Sequence, residues 1–289
     1  MTAATHPDID ENALQALHND ADLPHLGRDD TPFQRLGHVK SMAGALAATG
    51  MLVPPAMAAR LLRHKSAAQM PMLWHRLVSR SLGVRTLLSG TPASGKTLYV
   101  CNHLSWLDIP VLGSRLSGSF VAKSEVGAMG MVSFLADMQD TIYVERARRH
   151  RAVEQAGTIQ HRLAHGGNVI LFPEGTSNDG VHILPFKSAL FSVVEGEGSE
   201  DFRIQPVTLA YTHLNGLPLT RNRMLDIAWI GDMELGSHAL DFMRLGRVAA
   251  HIYCHPPVRR TDFTDRKALA RHCRDVIAQG YKRLIRGTA

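Results

Sequence analysis

Short runs of β-branched and other apolar residues recur along this chain, separated by stretches whose apolar residues fall at helical spacing, and that alternation limits the folds open to it. Strand candidates are Val84 to Leu88, Leu98 to Cys101, Ser119 to Ala122, Thr141 to Val144, Asn168 to Phe172, Ile204 to Leu209, Leu225 to Ile230 and Val248 to Tyr253. Leu104 to Leu116, Ala147 to Ala164 and Asp265 to Ile285 read as helices. The order predicts an α/β sandwich with ligand sites at strand ends. With 289 residues, 45% hydrophobic and 20% charged, the chain can bury one sizeable core.

One such strand end carries the string NHLSWLD, Asn102 to Asp108. Pro110 falls in the first turns of the helix that follows, so His103 is placed at a strand-to-helix junction. Five steps on a regular helix would hold His103 and Asp108 about 140° apart. They meet only if the histidine lies in the turn before the helix. Asp108 then accepts from one ring nitrogen, and the other is left to take a proton from an alcohol.

A second string, FPEGT at Phe172 to Thr176, offers a place for an anion. Pro173 ends the buried run before it, Gly175 lets the backbone approach a ligand, and the Thr176 hydroxyl joins the backbone amides. Arg146, at the end of TIYVER (Thr141 to Arg146), can grip a phosphate through two parallel hydrogen bonds.

Taken in order with IQPVTLAY (Ile204 to Tyr211), these strings resemble the glycerolipid acyltransferase family, the lysophosphatidic acid acyltransferases in particular. The similarity extends from about Trp74 to the C-terminus. The resemblance implies a mixed sheet flanked by helices and an acyl group moved from a thioester, acyl-CoA or acyl carrier protein, to the free hydroxyl of a lysophospholipid. The acceptor it favours is 1-acyl-glycerol-3-phosphate, giving phosphatidic acid, with another lyso-lipid such as a lyso-ornithine lipid as the alternative. The substrate's hydroxyl replaces the serine of a protease triad. His103 and Asp108 are the implied catalytic pair, and Arg146, Glu174 and Gly175 the implied acceptor-binding residues. Lys123 (AKSEV) and Lys187 (LPFKSALF) match further basic positions. Glu174 would repel a phosphate, so it is expected to orient a cation or a glycerol hydroxyl. No cofactor or metal is implied.

Other patterns have plainer readings. Gly90 to Thr97 (GTPASGKT) satisfies the nucleotide-binding P-loop pattern, but Lys96 leads into a strand-like run, and the Gly, Pro and Ser residues before it read as a hairpin loop. Cys101, Cys254 and Cys273 lack the spacing of a zinc site or disulfide framework, which suits a reducing compartment. Cys101, two residues before His103, raises an acyl-cysteine intermediate, against which stands its buried position in a strand. His161 and His165 have metal-binding spacing without a carboxylate partner and read as surface histidines. The basicity comes with neither a nucleic-acid module nor an aromatic platform.

The net charge of +6 is unevenly spread. The first thirty-three or so residues hold Asp8, Asp10, Glu11, Asp20, Asp22, Asp29 and Asp30 against Arg28 alone. Residues 1–35 therefore read as an acidic, disordered leader rather than a cleavable secretory signal, and the basic remainder suits an anionic lipid surface or an acidic carrier protein. Arg148, Arg149, His150 and Arg151 form a basic cluster for either partner. Met42 to Ala59 is uncharged, bordered by Lys40 and Arg60, and interrupted by Pro54 and Pro55. It predicts a shallow helical hairpin rather than a through-going span. Leu73, Trp74, Leu77 and Val78 make one apolar face just after it, fit for a headgroup region or for packing on a core. Residues 36–80 are thus expected to associate with a membrane, and residues 81–289 to form the catalytic domain at the cytoplasmic face of a bacterial inner membrane.

Overall fold

A computed structural model describes residues 32–62, 64, 69–144, 152–196, 198–231 and 233–287. Most of the acidic leader, Arg146 and the basic cluster at 148–151 lie outside the described residues.

The centre is a mixed sheet built from β1 (Val84–Ser89), β2 (Thr97–Cys101), β3 (Ser119–Lys123), β4 (Ile142–Val144), β5 (Val169–Leu171), β6 (Arg203–Leu214), β7 (Leu217–Pro218) and β8 (Val248–Cys254). Their order is β1-β8-β6-β2-β5-β3-β4, with β7 paired to β6 as a short hairpin. Strands β6, β2, β5, β3 and β4 run parallel, whereas β8 is antiparallel to β6 and parallel to β1. Parallel central strands must be covered on both faces, and β2, β5 and β6 are accordingly buried almost throughout.

Strand periodicity sorts the buried side chains into two cores. Leu98, Val100, Val169, Leu171 and Ile204 point to one face, where α5 (Ala152–Ala164) and α8 (Arg266–Arg286) flank the sheet. Tyr99, Cys101, Ile170, Phe172, Val207, Leu209 and Tyr211 point to the other, towards α2 (Met70–Ser81), α3 (Asp108–Gly113) and α7 (Leu235–Met243). The apolar face of α2 serves that core: Val78 is buried, and Trp74 and Leu77 pack against it. Leu73, the remaining residue of that face, is exposed.

Four sequence expectations are corrected. Met42 to Ala59 is no hairpin but part of one helix, α1 (Pro32–Leu61), with Pro54 and Pro55 inside it. Both prolines and the residues four before them, Gly50 and Met51, lie on the exposed side, and the helix is held to the domain around them. Trp74 Nε1 donates to Thr49 Oγ1 at 3.0 Å, and Arg60 donates to the Asp137 and Met138 carbonyls, both at 3.0 Å. The loop at Gly90 to Lys96 is no hairpin either, because β8 and β6 lie between β1 and β2; Lys96 does lead into a strand, β2. The helix expected over Leu104 to Leu116 is only six residues long, since the Asp108 carboxylate takes the amides of Leu104 and Ser105 and winds that segment into a turn. Leu225 to Ile230 is not a strand: Ile227 and Ala228 are buried there, but the Trp229 amide donates to the Leu104 carbonyl at 3.0 Å.

Candidate active site

The site grows from the ends of β2 and β5. In register, Leu98 lies opposite Val169 and Val100 opposite Leu171, so continuing both strands sets His103 beside Glu174. Alternation sends His103 to the same face as Tyr99 and Cys101, and Phe172 to the same face as Ile170. The imidazole therefore stacks on Phe172, with centroids 4.2 Å apart and planes at 18°. Behind them the Asn102 side chain takes over where the backbone ladder ends. Its amide donates to the Leu209 carbonyl and its oxygen accepts the Leu209 amide, each at 2.9 Å.

Asp108 is completely buried and orients the histidine. One carboxylate oxygen accepts from His103 Nδ1 at 2.7 Å and from the amides of Leu104 and Ser105 at 2.6 and 2.9 Å. The other accepts from the Tyr211 hydroxyl at 2.7 Å. A carboxylate only accepts, so Nδ1 carries the proton and Nε2 is left as the basic nitrogen on a side chain still 18% exposed.

Glu174 lies under the same loop. Its carboxylate accepts from the His103 amide at 2.8 Å, the Asn178 side chain at 2.6 Å and the Leu184 amide at 2.9 Å. The Asn178 amide in turn donates to the His103 carbonyl at 3.0 Å. Glu174 thus ties together three segments of the site's wall. Burial pushes its carboxyl up to about 7, against the pull of the Asn178, His103 and Leu184 donors.

Gly175 has φ +77°, and a β-carbon there would meet Lys187 Nζ at 2.7 Å. The lysine amine therefore crosses directly over the FPEGT turn, a position only glycine permits. Thr176 is exposed beside it, and Lys123 is exposed at the end of β3, the next strand but one from β2. The structure thus gathers His103, Asp108, Glu174, Gly175 and Lys187 at one end of the sheet, while Arg146 lies outside the described residues. His161, in the last turn of α5, and His165, just beyond it, set their rings 4.0 Å apart between centroids and tilted by 32°. Among the described residues no three His, Cys, Asp or Glu side chains cluster as a metal site would.

Tyr211, Asn178 and Asn102 escaped the sequence reading. Asn102 and Tyr211 stood in the strings NHLSWLD and IQPVTLAY, but only the strand register shows what they touch. Tyr211→Phe strands one oxygen of a buried carboxylate, so turnover should fall about tenfold with the acceptor KM little changed. A variant with unaltered kcat would deprive Tyr211 of this role.

The structure thus sets a carboxylate-oriented imidazole at the open end of parallel strands, beside a turn with a basic side chain over it. Residues 63–210 match the model of the Acyltransferase family, and the chain belongs to that family. It is 40% identical over 208 residues to a lyso-ornithine lipid O-acyltransferase of Brucella abortus (strain 2308), covering 70% of this chain and 78% of that protein. A lyso-ornithine lipid O-acyltransferase of Rhizobium meliloti (strain 1021) is 33% identical, over 76% of this chain and 77% of the relative. A 1-acyl-sn-glycerol-3-phosphate acyltransferase of Neisseria gonorrhoeae is 29% identical over 45% of this chain and 50% of its own length. The fold is that of the crystal structure of the 1-acyl-sn-glycerophosphate acyltransferase PlsC from Thermotoga maritima, with a TM-score of 0.62 at 17% identity, covering 87% of this chain and 95% of that one. The mixed sheet flanked by helices is borne out, as is the family.

Proposed function

We propose that this enzyme transfers a fatty acyl group from a thioester, acyl-CoA or acyl carrier protein, to the free hydroxyl of a lyso-ornithine lipid. The observation that carries the chemistry is the hydrogen bond from His103 Nδ1 to the buried Asp108. His103 Nε2 takes the proton of the acceptor hydroxyl as its oxygen attacks the thioester carbonyl, Asp108 balances the imidazolium, and the thiol leaves with the proton. Lys187, over Gly175, pairs with the acceptor's carboxylate or phosphate, assisted by Thr176, Lys123 and Arg146. Glu174 acts on the acceptor indirectly, by fixing the loop that carries His103.

The choice of acceptor rests on the similarity to the Brucella and Rhizobium enzymes, which covers 70% and 76% of this chain. Acylation of 1-acyl-glycerol-3-phosphate is the second reading, favoured by the shorter Neisseria match. Purified protein should be offered both acceptors with both donor types, and thiol release followed. We expect kcat/KM on the lyso-ornithine lipid to exceed that on 1-acyl-glycerol-3-phosphate by about tenfold to a hundredfold. Equal or reversed preference would establish the second reading, and no thiol release with either would refute acyl transfer.

The acceptor's place in a bilayer fits α1. Its segment Gly37–Leu61 is long and apolar enough to cross a membrane. However, its buried stripe of Ala48, Leu52, Ala56 and Ala59 faces the domain, and a β-carbon on Gly44 would come within 2.7 Å of Ser81 Oγ. Contacts from Gly44 to Arg60 dock roughly 24 Å of helix onto the folded domain. A helix so held lies along one leaflet, at the cytoplasmic face where thioester donors are made.

A further inference from the structure

We propose that residues Met129 to Phe134 form a second membrane-inserting element on the catalytic domain itself, which seats the mouth of the site on the lipid surface. This rests on the reading of the acceptor as a bilayer lipid. The chain leaves β3 at Lys123, on the end of the sheet that carries His103, and from Val126 to Ala136 it has no charged residue. A 3-10 turn (Ser124–Ala128) leads into α4 (Met131–Met138), an apolar helix in which only Ala136 is buried. Met131 is 67% exposed, and Met129, Val132 and Phe134 are 44%, 40% and 38% exposed. Large side chains of this kind, adjacent and uncovered, make a patch rather than scattered apolar points.

The occupant follows from what the patch adjoins. Arg60, at the end of α1, donates to the carbonyls of Asp137 and Met138 and pairs with Asp140 at 2.6 Å, so it caps the carbonyl end of α4. Leu135 and Met138 line a crevice together with Leu52, Val53 and Ala56 of α1. Helix α4 therefore abuts α1, a helix on which Leu46, Met51, Met57 and Leu61 are exposed. A helix with the length and hydropathy of a membrane span thus touches a short apolar helix whose chain comes from the site end of β3. One leaflet covers both, and an acyl chain then passes between bilayer and His103 without crossing water.

The three cysteines are all buried, so a cysteine introduced at the surface takes a label selectively. The full-length Met131→Cys protein, carrying an environment-sensitive fluorophore, is mixed with vesicles of phosphatidylglycerol and phosphatidylethanolamine, with a Glu200→Cys label as the comparison. The Met131 label should shift to the blue and be quenched by nitroxide-bearing lipid, while the Glu200 label does neither. Identical behaviour of the two labels overturns the proposal. So does a blue shift that appears without vesicles as protein concentration rises, which would make the patch a contact between two copies. The Met131→Ser, Val132→Ser, Phe134→Ser variant should lose about tenfold in vesicle affinity while acylating detergent-dispersed acceptor at the wild-type rate. Unchanged vesicle affinity in that variant also overturns it. The label needs neither donor nor acceptor, so insertion without acyl transfer would fault only the proposed reaction.

Discussion

His103→Ala should lower turnover by about 10² to 10⁴ while leaving the protein folded, because the imidazole is the basic group that Asp108 orients and that stays partly exposed. The ring's packing on Phe172 is lost too, but at the rim of the core, so a native melting profile is expected beside the collapsed rate. Asp108→Asn should be comparably inactive for a different reason. Its amide would face the donors of Leu104, Ser105 or Tyr211 and could turn the histidine to the wrong tautomer. Steady-state thiol release by both variants is the check, and near-normal rates in folded His103→Ala protein would remove the general base from the mechanism.

Glu174→Ala should cost stability as well as activity. The substitution leaves the His103 amide, the Leu184 amide and the Asn178 side chain without their acceptor. With a penalty of about 1 to 3 kcal/mol for each buried unsatisfied group, a loss of several kcal/mol is expected near pH 5. The pH dependence has a definite sign. The carboxyl is raised from 4.5 to about 7 in the folded protein, so its contribution is complete below pH 4.5 and is lost as pH rises through 7. The gap between wild type and variant, measured by denaturant unfolding, should therefore narrow by roughly 3 kcal/mol between pH 4.5 and 7. A gap that widens over this interval would mean that the three donors outweigh burial.

What could be read in the sequence was local, and what could not was long-range. The strands at Leu98 to Cys101 and Asn168 to Phe172 were legible because fully buried parallel strands are continuous apolar runs. His103 and Asp108 were legible because five residues of chain decide whether they can meet. Tyr211 lies 103 residues beyond Asp108, and its hydroxyl reaches the carboxylate only through the pairing of β2 with β6. The run at Leu225 to Ile230 misled for a related reason. Its apolar residues are buried as a strand's would be, but against the catalytic loop and α7, where His238 bonds both the Trp106 indole and the Ala228 carbonyl. In α1 the prolines suggested a break, and the tethers at Thr49 and Arg60 that sustain the helix come from partners far along the chain.

An enzyme that handles activated acyl thioesters runs the risk of acylating itself, since any nearby thiolate exchanges readily with a thioester. Cys101, two residues from the base, is placed where that exchange would be most damaging. Its sulfur is fully buried on the core side of the sheet, and burial, with the Asp108 and Glu174 carboxylates nearby, raises its thiol well above the ordinary range. Cys254 and Cys273 are likewise buried and pushed up to about 12. At neutral pH each stays a protonated, sequestered thiol, withheld from exchange with an acyl thioester.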